Sequence, residues 1–280
     1  MLSRQNLRES YFHLANTIFG LNFDKWYASG YWDDKFIPYV LYDGDLAVSS
    51  AGVCVNDILW RGRRKRYVQL STVMTLPEYR NKGLNRWLIE YVLNEWSDLC
   101  DAVYLLANDT VVDFYPKFGF DEFTEYDFTV PVRKVEGEYR KLNMDNADDL
   151  NLMKSKYAAG NPFAEVKANN FSQFMFHCLN FQSENIYCLD QQDAVVIMEH
   201  DGTQMICYDI LAGSDAPLDE ILGVLANDDT QTAHLGFTPR VIEGCSVKET
   251  LEEDYHLFVL AGKENIFKEH KVKFPLLSRA

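Results

Sequence analysis

Residues 75–87 read TLPEYRNKGLNRW, and the hydrophobic period of the chain changes inside this stretch. Upstream, residues 67–74 mix β-branched and apolar side chains as a strand does, and Pro77, which has no N–H to give to a ladder, ends it. Downstream, Leu84, Trp87, Leu88, Tyr91, Val92 and Trp96 recur at helical spacing, which predicts a helix over about 85–98. Between the two lies a short loop carrying Arg80, Lys82 and Gly83. The first turn of a helix has N–H groups without intrahelical partners and a partial positive charge, so a strand, loop and helix in this order make a site for an anion such as a pyrophosphate. Gly83 lets the backbone approach the anion closely, and Arg80 and Lys82 add charge-assisted contacts.

Working outward, residues 3–19 place Leu7, Tyr11, Leu14, Ala15 and Ile18 at helical spacing behind an acceptable N-cap, Ser3. A short helix is expected over 23–29, stopped by Gly30. Next comes FIPYVLYDGDLAVSSAGVCVNDILW, two apolar runs joined by Asp43-Gly44, a strong hairpin signal. After the central helix, AVYLLA (102–107) reads as a buried strand. A short helix over 110–115, a turn over 116–119 and a strand over about 123–130 follow.

Pro131 and RKVEGEYRK read as a linker, which divides the chain into expected domains 1–132 and 139–280. Beyond it the pattern gives helices in DNADDLNLMKSKYA and over 168–179, then strands in NIYCLD, AVVIMEHDG and QMICYDILAG. A helix over 218–226 and strands in TAHLGF and YHLFVL complete it. The order of elements echoes the first half, although no residue identity supports a duplication. A degenerate copy of the first domain and an unrelated α+β domain both fit that pattern.

Two runs carry a family resemblance. The strand followed by Pro77, Tyr79 and Arg80-x-x-Gly83-Leu84, opening an amphipathic helix, resembles the acyl-CoA pyrophosphate loop of the GCN5-related N-acetyltransferase (GNAT) superfamily. NDTVVDFYPKFGF (108–120) is similar to a second signature of that family, in which an F-Y pair is followed by a lysine and Gly-Phe. Two signatures in the right order are far more specific than either alone.

The resemblance implies an α+β fold with a mixed, mostly antiparallel sheet flanked by helices, and acetyl-CoA as cosubstrate. It implies that main-chain groups of Val73, Met74 and Thr75 pair with the pantetheine arm like an added strand. The amides of Arg80, Asn81, Lys82, Gly83, Leu84 and Asn85 would cradle the pyrophosphate. Tyr115 would protonate the departing thiolate, a role that suits a phenol because it keeps its proton at neutral pH. Asn108, at the end of the next strand, either bonds to the cofactor arm or caps a turn. The family has Gly or Ala two residues beyond the loop glycine, and this chain has Asn85. The second half lacks both signatures.

The implied reaction is acetyl transfer to an amine by direct attack on the thioester, without a covalent enzyme intermediate. The alternatives are a non-catalytic acyl-CoA-binding or regulatory protein, and a transferase of a larger acyl or aminoacyl group. No carboxylate lies in the strand over 67–75, so the base is open among Asp57, Asp24 and a water held by Ser71.

Bulk properties narrow the partners. A formal net charge of −15 argues against nucleic acid as the main partner and favours a cationic amine, on a small molecule or a peptide. No apolar run reaches bilayer length, so no membrane association is expected. The six cysteines are scattered without a C-x-x-C pair, the pattern of reduced thiols in a cytoplasmic protein without a metal site. The cluster Arg61, Arg63, Arg64, Lys65 and Arg66 reads as a solvated hairpin tip, and FSQFMFHCLNF as a buried helix face. The second half is expected to shape the substrate site or a homodimer interface.

Overall fold

The structure, a computed structural model, describes residues 4–213, 215–251 and 254–280. Helix α1 (Arg4–Phe19) buries Tyr11, Phe12, Leu14 and Ala15 on one face; Ser3, its expected cap, lies outside the described residues. Helix α2 (Asp24–Ala28) buries Trp26, whose indole N–H donates to the Ser172 carbonyl at 2.8 Å and so ties the two halves together. Strands β1 (Phe36–Asp43) and β2 (Leu46–Trp60) form the hairpin that Asp43-Gly44 predicts. Strand β3 (Arg63–Thr75) runs antiparallel to β2. The basic tip is narrower than expected: the strand already begins at Arg63, Arg66 is paired with Asp57, and Lys65 with Glu264.

Helix α3 (Leu84–Trp96) then crosses over the sheet and returns the chain to β4 (Ala102–Ala107), parallel to β3. It buries Leu88, Ile89 and Val92 in the core beneath β2, β3 and β4, each contributing roughly 2 kcal/mol by removal from water.

Three expected elements differ. The helix over 110–115 is instead a pair of 3-10 turns, Asp109–Val111 and Tyr115–Phe118. The Asn108 side chain captures the Thr110 N–H and Pro116 starts the second turn, leaving too few residues to nucleate an α-helix. The strand over 123–130 is two strands, β5 (Phe120–Phe123) and β6 (Tyr126–Pro131), in different sheets. Between them Glu125 turns inward, accepting from the Phe274 N–H at 2.7 Å and from Arg279 Nη2 at 2.8 Å, and this buried ion pair fixes the crossing. In the second half, after β7 (Arg140–Lys141) and α4 (Ala147–Ala159), the helix over 168–179 begins late. Its first residues belong to β8 (Val166–Asn169), which pairs with β2, and Asn170 caps α5 (Phe171–Asn180) through the Gln173 N–H at 2.9 Å.

Strands β9 (Ile186–Leu189), β10 (Ala194–Asp201) and β11 (Gln204–Ala212) follow, then α6 (Leu218–Leu225), β12 (Thr232–Leu235), β13 (Ser246–Glu249) and β14 (His256–Leu260). The result is a mixed α+β fold with two mostly antiparallel sheets. One has the order β1-β2-β3-β4-β14-β5 with β8 on β2, the other β13-β6-β12-β11-β10-β9-β7. Both repeat one pairing scheme: two antiparallel steps, then a parallel step across a helix, β3 to β4 in one and β11 to β12 in the other. The halves also exchange a strand. β14 lies between β4 and β5, and β6 lies between β12 and β13. A cut between 132 and 139 therefore divides the sequence but not the sheets.

Candidate functional site

Strands β3 and β4 pair in parallel only from Tyr67–Ala102 to Leu70–Leu105 and then part. The parting opens a cleft of about 1090 Å³ between the free edge of β3 after Leu70, the end of β4 (Leu106 and Ala107) with the following Asn108, and the start of α3. The end of α1 closes one side through Ile18, Phe19 and Leu21.

A bulge shapes the β3 wall. The register with β2 slips between Ser50 and Gly52, so that β3 carries one extra residue near Thr72. Thr72 has φ 44, a conformation that costs a β-branched residue on the order of 1–2 kcal/mol. It persists because its surroundings hold it: Ser50 Oγ donates to its carbonyl at 2.7 Å and its hydroxyl meets Tyr11 Oη at 3.2 Å. Opposite it the chain needs Gly52, since a Cβ there would stand 2.6 Å from Thr72 Oγ1. Beyond the bulge, Met74 and Thr75 pair with Ser50 and Ser49 on the β2 side, which leaves their other edge facing the cleft.

The loop after β3 brings the anion-binding features together. Asn81 (φ 61) and Gly83 (φ 78) both adopt left-handed backbone, and nothing lies within 4 Å of where a Gly83 Cβ would be. Trp87 donates the first helical bond, to the Gly83 carbonyl at 3.0 Å; among the described residues the amides of 81–86 donate none. These are the unpartnered donors of a helix start, and Arg80, Asn81, Gly83, Leu84, Asn85 and Arg86 all line the cleft. Arg80 is steadied by donating Nε to the Thr75 carbonyl at 3.2 Å, and the Lys82 ammonium sits 4.5 Å from the Tyr79 ring centre. Lys82 itself is absent from the lining.

Asn85, the departure from the expected small residue, turns away from the loop. Its Oδ1 accepts from Ser49 Oγ at 2.7 Å and Thr75 Oγ1 at 2.8 Å, so the carboxamide bolts the helix start to β2 and β3.

Tyr115 reaches the cleft from the opposite wall. It is buried among Phe114, Phe120 and Phe258, and its hydroxyl has no hydrogen-bond partner among the described residues. Burial pushes the phenol up to about 12. Asn108 also lines the cleft, but its Oδ1 is taken by the Thr110 N–H at 3.1 Å and hydroxyl at 2.6 Å, a turn cap. Val73, Met74 and Thr75 are all at the lining.

The carboxylates considered as a base lie elsewhere. Asp57 is near the far end of β2, where Lys35 and Arg66 bind it at 2.5 and 2.8 Å. Against the effect of burial, those bonds hold its carboxyl below the usual range. Asp24 is exposed on α2. No Asp or Glu is among the described residues lining the cleft. Ser71 does line it, and its Oγ is buried without a partner.

One participant has no sequence signal. Ala280 lies in the cleft, its N–H donating to Gln69 Oε1 at 2.8 Å and its carbonyl accepting from Gln69 Nε2 at 2.7 Å. Gln69 is itself steadied by the Tyr104 hydroxyl at 3.1 Å. The contact joins positions 211 residues apart, and nothing local to either predicts it.

Comparison with known proteins bears on the family and the fold. Residues 34–122 match the family model described as an acetyltransferase (GNAT) domain. N-alpha-acetyltransferase 50 of Danio rerio is 30% identical over 102 residues, a match spanning 32% of this chain and 60% of that protein. A solved Enterococcus faecalis protein, described as a probable N-acyltransferase, superposes with TM-score 0.59 at 13% identity, over 91% of this chain and 70% of that one. Eis1 from Mycobacterium abscessus gives TM-score 0.55 at 12% identity, over 92% and 72%. At these identities the structural likeness speaks for the fold, and it extends over both sheets.

Proposed function

We propose that this chain, whose residues 34–122 match the acetyltransferase (GNAT) domain model, transfers an acetyl group from acetyl-CoA to an amine. The observation that carries the reading is the meeting of both sequence signatures at one cleft: the loop with unpartnered amides on one wall and Tyr115 on the other, with the free edge of β3 between them. The residues fit the cosubstrate. The amides of 81–86 with Arg80 would hold a pyrophosphate, and Val73, Met74 and Thr75 would pair with the amide-bearing arm. Lys82 would contribute charge from the rim.

Bound acetyl-CoA supplies an activated thioester carbonyl. The chain's part is to orient it and to manage protons. Tyr115, a phenol, keeps its proton at neutral pH, the more firmly for being buried, and its hydroxyl, without a partner among the described residues, is available to the departing thiolate. With no Asp or Glu side chain among the described residues at the lining, the amine's proton leaves through water held by Ser71 Oγ. The excess of acid over base in the chain favours a cationic acceptor, on a small molecule or a peptide terminus. We assign the protein to the cytoplasm, since its six cysteines are all free; no described helix is long and apolar enough to cross a membrane.

The lack of an acidic side chain among the described lining residues also favours a second reading, an acyl-CoA-binding protein without turnover. Release of free thiol from acetyl-CoA, followed with a panel of amines, separates the two. Turnover that falls about 100-fold in Tyr115→Phe, with CoA affinity unchanged, supports the enzyme. CoA binding without thiol release for any amine supports the sensor, and no CoA binding at all ends both readings.

A further inference from the structure

The second sheet repeats the parting of strands that makes the cleft. β11 and β12 pair in parallel from Gln204–Thr232 to Cys207–Leu235 and then separate, as β3 and β4 do after Leu70–Leu105. In both places a helix ends beside the gap at a glycine with positive φ, α1 at Gly20 (φ 67) and α4 at Gly160 (φ 77). The second gap is a cavity of about 830 Å³, lined on one side by β8. Two residues past the last strand pair, where β3 has Thr72, β11 has Asp209.

Asp209 is held in place with half of its bonding capacity unused. Its Oδ1 accepts from Asn161 Nδ2 at 2.7 Å and from the Ile210 N–H at 2.9 Å. Asn161 cannot turn away, because its own Oδ1 accepts from the Phe163 and Ala164 N–H groups at 2.8 and 3.1 Å. Oδ2 accepts nothing among the described residues, yet it is not sealed in the core; the carboxylate lines the cavity and keeps some solvent access. Burial pushes its carboxyl up to about 6, against the pull of the Asn161 bond. A carboxylate in such a place costs stability unless something pairs with it.

Lys167, on β8, lines the same cavity. No carboxylate lies within ion-pair distance of its ammonium among the described residues, and burial holds its pKa below the usual lysine range. Asp209 and Lys167 do not bond to each other in this cavity, whose lining also carries Arg64 and the mutually paired Asp57, Lys65, Arg66 and Asp101, with apolar walls that include Val166, Leu211 and Phe237. A simple cation entering it is repelled by Lys167, and a simple anion by Asp209. A ligand bearing both charges satisfies both.

We propose that this cavity binds a small zwitterion of the α-amino-acid type, its ammonium group on Asp209, its carboxylate on Lys167, and its side chain against Leu211 and Phe237. The inference does not depend on acyl transfer at the first cleft.

The test is calorimetric titration of the whole chain with a panel of free α-amino acids, each beside its decarboxylated amine and its N-acetyl derivative. At least one amino acid is expected to bind saturably, with both truncated forms weaker by about tenfold or more. Asp209→Asn and Lys167→Met should each weaken that binding by a similar factor while a parallel titration with CoA is unchanged. The proposal is overturned if no amino acid binds, if the bare amine binds as well as its amino acid, or if Lys167→Met has no effect. Should Asp209→Asn fail to fold, Lys167→Met and the truncated ligands decide the matter by themselves.

Discussion

The gap between β3 and β4 and the gap between β11 and β12 come from the same strand pairings, and they have been given opposite chemistry. The first leads into a loop with two left-handed residues and then the 13-residue α3, with Arg80, Lys82 and Arg86 around its start. The second leads to the 8-residue α6, which begins after Pro217 with Asp219 and Glu220 in its first turn. Those carboxylates complement the helix dipole and repel a phosphate, so the second gap is unsuited to the ligand that suits the first. Its own polar groups, Asp209 and Lys167, lie deeper. Backbone topology makes a gap, and the loop that follows decides what enters it.

The largest expected effect concerns what the two gaps share. Glu125→Ala leaves Arg279 without its buried carboxylate at the point where the chain crosses between sheets, and should cost about 3–5 kcal/mol in urea unfolding. A single cooperative transition is expected, because each sheet contains a strand from the other half; two separated transitions would show that the halves unfold independently.

Gly83→Glu sets a negative charge and a strained backbone in the loop of the first gap only. CoA affinity should drop about 100-fold by calorimetry. Undiminished uptake would mean that the amides of 81–86 are not the phosphate site.

Asp209 offers a comparison through pH. Its carboxyl is raised in the folded state from 3.8 to about 6, so the folded protein holds that proton more tightly than the unfolded chain. The associated stability is present in full below 3.8 and is lost as pH rises through 6. Asp209→Asn removes the loss. Its stability relative to the parent should therefore be greater at pH 7 than at pH 3.5 by about 3 kcal/mol, read from urea midpoints. A flat difference would mean that Asp209 is not enclosed as described.

Asn85→Ala should have the smallest effect, about 1 kcal/mol of stability with a few-fold loss of CoA affinity, since it frees Ser49 and Thr75 to bond each other at 2.9 Å. An affinity gain would indicate that the asparagine obstructs the loop rather than anchoring it.

Much of the first gap was legible because its parts are contiguous. The strand, the loop glycine, the helix and Tyr115 each announce themselves by local pattern, and the cleft brings them together. Asn85 was visible as an anomaly, but its inward turn depends on Ser49 and Thr75 hydroxyls that only folding brings near. The base was not legible: Asp57 and Asp24 qualified by residue type, and their position along β2 and on α2 removes them from the cleft.

By itself the sequence determined the period of each element, the hairpin at Asp43-Gly44 and the loop capable of holding an anion, because backbone sterics and hydrophobic spacing act over a few residues. Only the tertiary structure decided that residues 120–131 divide between two sheets, that β6 and β14 change places, that Ala280 lies in the cleft, and that Asp209 and Lys167 share a cavity. Those outcomes rest on a buried ion pair and on strand edges finding partners over a hundred residues away, and no local propensity encodes them.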